Sequence, residues 1–355
     1  KVFASALNTN EVYTLSAIIL FVFGYMMFGG ANSMVYTNVI QASIMIVVAV
    51  ILISSGLPHF EGGFVGFFNK LASIDPALVK PTNPSSPLFR DFFEIAFAQI
   101  VIGVAVVCQP HIITKSLLLK NESDVNKFLI TSIVVELLFF SVVIAGLYAR
   151  LEFPDLTING QKLMTDSIIP SYVVMVFSKG LVATLVGLLI ILGLVSAGMS
   201  TLDGLIQSLS SSITNDIIKP LRGERRNFSD RKYMGINRIV IVALAVVAFL
   251  VSRNQLLYPN LSVAILAQNG VYAYFSIIFV PILMGIFLKD VKVWFPLLAS
   301  IVAMVTHFGV YYFLPFLLNM GVDFGCISKY LDGVVRNPAI AASSAIILSF
   351  IFGFG

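Results

Sequence analysis

Long apolar runs recur along this 355-residue chain and limit what it can fold into. An apolar helix of about 20 residues spans the roughly 30 Å of hydrocarbon in a bilayer. Alternating ten-residue patterns typical of membrane barrels are not visible, so each run predicts a helix. With 11% charged residues, the chain is predicted to be an all-α polytopic membrane protein, a single transmembrane domain over residues 1–355. The predicted helices cover about 12–30, 35–55, 92–113, 128–149, 180–209, 236–252, 263–287, 293–314 and 339–355.

Several functional classes are excluded by what the sequence lacks. There is no phosphate-binding Gly-x-x-x-x-Gly-Lys motif, so ATP-driven transport is not expected. The three histidines and two cysteines are widely spaced and form no metal motif or nucleophile–base pair, which predicts that the chain is not an enzyme. Its net charge of +4 comes largely from the short basic connection 219–232, which predicts a cytoplasmic loop rather than nucleic-acid binding.

The fifth predicted helix carries polar groups where hydrocarbon offers no water. Ala197, Ser200 and Thr201 lie at positions i, i+3 and i+4, so one carbonyl and two hydroxyls share a helical face. Oxygen ligands suit a hard cation such as sodium. The alternative is that these small residues only let two helices pack closely. Spacing alone leaves both interpretations open.

Three motifs resemble the sodium:solute symporter family. They are Ala197-Gly-Met-Ser200-Thr201, Gln109-Pro110-His111 after an apolar run, and Tyr36-Thr37-Asn38 leading to Gln41-Ala-Ser43. The resemblance covers about residues 1–340 and is strongest to proline and pantothenate carriers. It implies a leucine-transporter-like inverted-repeat bundle. Predicted helices one to seven would then be core helices four to ten, the last two would be peripheral, and an N-terminally truncated fragment is expected.

The resemblance also implies the sodium ligands. They would be the backbone carbonyl of Ala197 and the hydroxyls of Ser200 and Thr201, with sodium as the coupling ion. Many relatives have an aspartate where this chain has Asn38, and Asp203 lies one turn beyond Ser200. One hypothesis is that Asp203 supplies the carboxylate of a second ion site together with Asn38. The alternative is that Asp203 caps a polar helix end and the second site is lost.

For the solute, the resemblance points to two pairs of residues. Cys108 and Gln109 would face the cavity from one side, and Gln268 and Asn269 from the other. His111 follows a proline that loosens the helix, so it is a candidate inner gate. A packing role for His111 is the alternative.

Together these features predict sodium-coupled secondary active symport of a small organic solute by alternating access. A carboxylate or an amino acid is the favoured solute. The expected partners are the solute, the sodium ion and the lipid bilayer, with no nucleic acid, and the expected location is the cell membrane. The alternative function is a non-transporting sensor or regulatory membrane module of the same fold.

Overall fold

The computed structural model describes residues 9–109, 112–113, 119, 121–158, 160–221, 230–257 and 263–354. These residues are mainly helical, with one small antiparallel hairpin that pairs Thr157–Ile158 with Gln161–Lys162. The α-helices in chain order are α1 (Glu11–Ser54), α2 (Gly63–Ile74), α3 (Ala98–Val106), α4 (Glu122–Ser141), α5 (Ile144–Glu152), α6 (Ile168–Phe177), α7 (Leu181–Ser212), α8 (Lys219–Leu221), α9 (Asp230–Leu257), α10 (Val263–Phe287), α11 (Trp294–Phe308), α12 (Leu314–Asn319), α13 (Ser328–Leu331) and α14 (Pro338–Phe354).

Three of these helices are joined to short π-helical stretches, which precede α3, follow α7 and follow α11. The π-helices are Phe93–Phe97, Ile213–Ile218 and Gly309–Phe313. Single turns of 3₁₀-helix occur at Leu57–Phe60, Pro76–Val79, Thr165–Ser167 and Gly325–Ile327. Helix starts follow local capping chemistry. The side chains of Asn10 and Asn121 accept hydrogen bonds from backbone amides at the first turns of α1 and α4.

Six helical stretches are long and apolar enough to cross a membrane among the residues described: Tyr36–Phe60, Glu122–Glu152, Leu181–Leu221, Lys232–Leu257, Ala264–Phe287 and Trp294–Asn319. Four shorter apolar helices accompany them: Glu11–Met27, Phe93–Val106, Thr165–Phe177 and Pro338–Phe354. Nine of these ten overlap the apolar runs of the sequence. The helix Thr165–Phe177 lies in a stretch that was expected to be a connection.

The chain divides into two compact units. Unit 1 comprises Lys1–Asp75 and Leu117–Asn260, and unit 2 comprises Pro76–Ser116 and Leu261–Gly355. Unit 1 contains α1, α2 and α4 to α9, and α1 packs against α7 and α9. Unit 2 contains α3 and α10 to α14, and α14 packs against α3, α10 and α11.

Helix α1 differs from the sequence-based expectation of two helices separated by a loop. It is one continuous helix of 44 residues. Tyr25 bonds to Asp203 of α7, whereas Val48 packs against Gly193 of the same helix. A straight helix would separate Tyr25 from Val48 by about 35 Å, but Gly193 and Asp203 are only about 15 Å apart along α7. Helix α1 therefore bends between Tyr25 and Val48, and the expected loop is a bend within one helix.

Unit 2 has an apolar core in which α3, α10, α11 and α14 meet. Its fully buried members include Ala98, Phe275, Val280 and Ala299. Polar contacts join the segment before the π-helix Phe93–Phe97 to α13, the short helix that precedes α14. Asp91 Oδ2 accepts hydrogen bonds from Lys329 Nζ at 2.6 Å and from the Tyr330 hydroxyl at 2.7 Å. Burial raises the pKa of Asp91, but these hydrogen bonds outweigh that effect and lower it to about 2.

Candidate functional site

The predicted sodium face of α7 is present in unit 1. The Ser200 and Thr201 hydroxyls both donate to the backbone carbonyl of Ala197, each at 3.1 Å. One carbonyl and two hydroxyl oxygens therefore lie within a single helical turn, as the spacing requires. Thr201 is exposed and the other two residues are half-buried. Each hydroxyl keeps lone pairs for a cation, whereas the Ala197 carbonyl, which accepts both hydroxyls, would have to exchange one of these hydrogen bonds.

Ala197 also borders a cavity of about 300 Å³ within unit 1. The residues that line it are apolar or glycine and come from α1, α4, α7 and the turn after α4. They are Met45, Val48, Ala49, Leu52, Phe139, Val142, Gly193, Leu194 and Ala197. The side chains around this part of the face therefore add no competing charge.

Asp203 lies on the buried side of α7. Its side chain has no solvent exposure, and its Oδ1 atom accepts a hydrogen bond from the hydroxyl of Tyr25 in the first half of α1. The second oxygen, Oδ2, has no hydrogen-bond partner within the described part of the chain. An unpaired carboxylate oxygen in an apolar interior is costly unless something positive binds it. Asp203 is therefore not placed like a solvated helix cap.

Helix α1 packs closely on α7 where Val48 meets Gly193. A Cβ atom added at Gly193 would lie 2.6 Å from Val48 Cγ2, so only glycine allows this close approach of the two helices. Near this contact the helices run antiparallel. Ser55, which follows α1, bonds at 2.9 Å to Tyr172 of α6, and the end of α6 meets the first half of α7, where a Cβ added at Gly187 would lie 3.1 Å from Phe177 Cβ.

Counting residues from the Val48–Gly193 contact gives the expected relative heights of Asn38 and Asp203. Asn38 lies ten residues before Val48 on α1, and Asp203 lies ten residues after Gly193 on α7. Because both helices rise about 1.5 Å per residue, an equal number of residues covers an equal height. A separation of ten residues turns a helix by about 1000°, about 80° short of three full turns, so Asn38 and Asp203 each lie to one side of the contact face. The count from this contact predicts that Asn38 lies near the height of Asp203. Its Oδ1 atom is buried and has no hydrogen-bond partner among the described residues.

In unit 2, the amides predicted to face the solute bond to neighbouring side chains. Gln268 Nε2 donates to the Tyr272 hydroxyl at 2.7 Å, one turn along α10. Asn269 is buried and uses both ends of its amide. Its Nδ2 atom donates to the Tyr312 hydroxyl at 3.1 Å, and its Oδ1 atom lies 3.0 Å from His307 Nε2. Asn269 therefore joins α10 to α11 and the π-helix that follows α11.

Cys108 and Gln109 follow α3 and are both buried. Cys108 belongs to the apolar core of unit 2, where it lies among side chains of α3 and α10. The structure therefore brings both predicted solute-facing pairs to elements that share this core. His111 and Pro110 lie outside the described residues, so the proposed gate stays a prediction. Residues 222–229 of the basic connection also lie outside them.

Sequence reasoning did not select Tyr25, Gln41, His307 or Tyr312 as functional residues. Gln41 was part of a recognised motif and lies three residues after Asn38, which was a usable signal. His307 is an ionisable residue inside a predicted span, which is a second usable signal. Tyr25 and Tyr312 gave no such signal, because tyrosine is common in membrane helices.

The chain matches a known protein family. The family model described as the sodium:solute symporter family matches residues 1–302. The chain belongs to the sodium:solute symporter family. The family membership and the leucine-transporter-like all-α fold expected from the sequence are thereby confirmed. The assignment of individual helices to core positions stays a prediction.

Curated relatives in this family are symporters rather than enzymes. The chain is 28% identical to the sodium/pantothenate symporter of Haemophilus influenzae over 241 residues, which cover 67% of the chain and 47% of that protein. It is 28% identical to the sodium/proline symporter of Staphylococcus aureus over 289 residues, with 80% and 52% covered. For the sodium/pantothenate symporter of Escherichia coli, the values are 27% identity with 80% and 55% covered. The chain thus spans about half the length of these relatives.

A solved structure has the same fold. It is the substrate-bound, outward-open state of a Na⁺-coupled sialic acid symporter, with a TM-score of 0.70 and 17% sequence identity. The match covers 97% of this chain and 66% of the symporter chain.

Proposed function

We propose that this chain forms part of a sodium-coupled secondary transporter of a small organic solute, located in the plasma membrane. The observation that carries the proposal is the oxygen face of α7, where two hydroxyls meet the Ala197 carbonyl at 3.1 Å. Family membership and the symporter relatives support the same function. The relatives favour transport over the sensor alternative. The lipid bilayer is the expected surrounding of the six apolar spans, and nucleic acid is not a proposed partner.

Sodium would bind to Ala197, Ser200 and Thr201 and would supply the driving force. Moving one elementary charge across 100 mV releases about 2.3 kcal/mol, before any concentration term is added. The oxygen ligands replace part of the hydration shell of the ion. Coupling would arise because the sodium-bound protein binds the solute more tightly than the sodium-free protein, and by thermodynamic linkage the solute then strengthens sodium binding by the same factor.

A second ion site is proposed at Asp203 with Asn38. Each has a buried oxygen without a hydrogen-bond partner among the described residues, and a residue count from the Val48–Gly193 contact supports a similar height for the two. The solute is proposed to contact Cys108, Gln109, Gln268 and Asn269, with His111 as inner gate. Gln268 keeps its carbonyl oxygen for this role, whereas Asn269 would have to exchange one of its present hydrogen bonds. A carboxylate or amino acid remains the favoured solute, since the curated relatives carry pantothenate or proline.

The test is sodium-dependent uptake of labelled proline and pantothenate by the full-length protein. Ser200→Ala and Thr201→Ala each remove one oxygen ligand. Each should raise the sodium concentration for half-maximal uptake by about three- to tenfold. Thr184→Ala is the matched control. Thr184 lies near the start of the same helix, away from this face, and its hydroxyl donates to a backbone carbonyl at 2.9 Å. Unchanged sodium dependence in both test variants would contradict the sodium assignment.

A further inference from the structure

A larger cavity lies in unit 2, among connections outside its membrane-spanning helices. Its volume of about 720 Å³ is within the range of small-molecule sites in proteins. Its two walls are the segment before the π-helix Phe93–Phe97 and the segment that leads from α13 to α14. The residues that line it are Pro84, Ser85, Pro87, Arg90, Asp91, Lys329, Asp332, Gly333, Val334 and Val335.

This cavity is called the outer pocket because of its expected side of the membrane. Three apolar spans separate its second wall from the basic connection 219–232, which is predicted to be cytoplasmic. They are Lys232–Leu257, Ala264–Phe287 and Trp294–Asn319. An odd number of crossings places the pocket on the opposite, outer side.

Hydrogen bonds between the two walls fix the shape of the outer pocket. Asp91 Oδ2 accepts from Lys329 Nζ at 2.6 Å and from the Tyr330 hydroxyl at 2.7 Å. Asn337 is 5% exposed, and its Nδ2 atom donates to the Leu88 carbonyl at 2.7 Å. Because the protein itself makes these bonds, the walls are preorganised, and a ligand loses little free energy in ordering them.

Arg90 presents unused hydrogen-bond donors to the outer pocket. Its Nη1 atom donates to Glu94 Oε1 at 2.8 Å and to the Pro87 carbonyl at 3.0 Å. Glu94 is fully buried and also accepts the backbone amide of Arg90 at 2.7 Å, so this arginine is held in place. Its Nε and Nη2 atoms have no hydrogen-bond partner in the described part of the chain. These N–H groups are suited to bind a carboxylate.

Two further charges lie on the opposite wall. The hydrogen bond from Lys329 to Asp91 raises the pKa of Lys329, so it stays charged at neutral pH. An ammonium group has three donors, and the contacts to Asp91 and Tyr330 leave one for a ligand. Asp332 is exposed, and its Oδ1 atom accepts the Gly333 amide at 2.7 Å. It forms no ion pair with any described residue, so its negative charge is not neutralised.

This arrangement of charges favours a ligand that carries both signs. The two cations of the pocket are each paired with an acid of the protein, so they leave no excess positive charge for a simple anion. Asp332 would repel such an anion. A simple cation would pair with Asp332 but would leave the donors of Arg90 unused. A zwitterion uses both, and apolar lining residues suit a small apolar side chain: Pro84, Pro87, Val334 and Val335.

We propose that the outer pocket binds a small zwitterionic amino acid with an apolar side chain. The carboxylate of the ligand accepts hydrogen bonds from Arg90 and Lys329, and its ammonium group pairs with Asp332. The site is separate from the solute contacts proposed on α10, because the residues that line it lie in connections and in α13. The inference does not rest on the proposed function, and none of the proposed sodium ligands takes part in it.

Calorimetric titration of the purified full-length protein tests the inference, with L-valine as the probe. The outer pocket should bind L-valine equally in sodium and in potassium buffer, whereas a sodium-coupled solute site needs sodium. N-acetyl-L-valine lacks the ammonium charge and L-valinamide lacks the carboxylate, so each should bind at least about tenfold more weakly. Equal affinity for all three probes, or no binding of L-valine at millimolar concentrations, would overturn the proposal.

Asp332→Asn assigns the ammonium contact. The change removes the charge and keeps an acceptor for the Gly333 amide. It should lower the affinity for L-valine by about three- to tenfold and should not lower that for N-acetyl-L-valine. Asp323→Asn is the matched control, because Asp323 is exposed in the preceding connection, accepts the Gly325 amide at 2.9 Å and does not line the pocket. An equal loss for both probes in Asp332→Asn would contradict the ammonium contact.

Arg90→Lys assigns the carboxylate contact. The change keeps a positive charge beside Glu94 but removes the planar pair of N–H groups. It should weaken L-valine binding by about three- to tenfold and leave L-valinamide binding unchanged. Should this variant not fold, Asp332→Asn decides, and an unchanged L-valine affinity there overturns the proposal.

The outcomes separate this inference from the proposed function. Valine binding that requires sodium and persists in both variants would belong to the solute site, and the outer pocket would then be wrong. Sodium-independent binding that both variants weaken, in a protein without sodium-dependent uptake, would support the outer pocket and contradict the proposed function.

Discussion

The polar interiors of the two units differ in the kind of atom that is left unpaired. In the described part of unit 1, the buried side-chain atoms without a partner are three oxygens, on Asn38, Gln41 and Asp203. In the described part of unit 2, the buried side-chain atoms without a partner are two nitrogens, on His307 and Arg336. Oxygen acceptors are ligands for a hard cation, and nitrogen donors or imidazoles are not. The difference supports an ion-binding role for unit 1.

Unit 2 pairs the carboxamides of α10 with aromatic side chains. Gln268 bonds to Tyr272, and Asn269 bonds to Tyr312 and His307. A carboxamide whose donors and acceptors are used within the protein stabilises helix packing, and it binds a solute only by exchanging partners. The comparison teaches that similar polar residues in membrane helices have different roles, and that the pairing of each atom distinguishes them.

The largest effect should come from the acid of unit 1. Asp203→Asn removes the only carboxylate of the proposed second site and should lower apparent sodium affinity by about tenfold or more, since a charged ligand contributes roughly twice as much as a neutral one. Asn38→Asp restores a carboxylate at the same height. A double mutant cycle on sodium-dependent uptake measures the coupling between the two positions. Partial recovery in the double variant is expected, and strictly additive effects would show that the two residues do not share a site.

A smaller effect should follow from separating α1 and α7. Gly193→Ala places a Cβ atom 2.6 Å from Val48 Cγ2, and overpacking of this kind costs about 1–3 kcal/mol. Gly198→Ala is the matched control on the same helix, because an added Cβ there meets nothing within 4 Å. Thermal unfolding in detergent should show a lower melting temperature for Gly193→Ala alone. Equal melting temperatures would contradict the close helix contact on which the register depends.

The smallest effect is expected in unit 2. Gln268→Ala removes one candidate solute contact and should weaken solute affinity by about two- to tenfold, with sodium affinity unchanged. Asn269→Ala instead leaves His307 and Tyr312 without their partner, so its main effect should be on thermal stability. Uptake measured over ranges of solute and of sodium concentration separates the two. A change in sodium affinity for Gln268→Ala would erase the distinction between the units.

Much of the fold was predictable because apolar length decides it. Each run of about 20 apolar residues specifies a helix on its own. The bend in α1 was not predictable as such, because the residues around it are consistent with either a loop or a bent helix. The helix Thr165–Phe177 was missed because it is shorter than a span and lies next to polar sequence.

The sodium face was predictable because its three residues belong to one helical turn. Ala197, Ser200 and Thr201 meet through the i, i+3 and i+4 spacing alone, and the structure places each hydroxyl 3.1 Å from the Ala197 carbonyl oxygen. The pairing of Tyr25 with Asp203 was not predictable, since the two are 178 residues apart in sequence. Periodicity fixes the face of a helix on which a residue lies, but not which helix packs against that face.

The sequence by itself therefore determined the membrane class, most of the helices, the family and the local oxygen face, because each depends on residues close together in the chain. The tertiary structure decided the register of α1 on α7 and the Asn269–His307–Tyr312 network. These depend on which helices approach closely, and that is set by packing at single positions such as Gly193 against Val48. A shift of that contact by one residue would turn every side chain of the adjoining part of α1 by about 100° relative to α7.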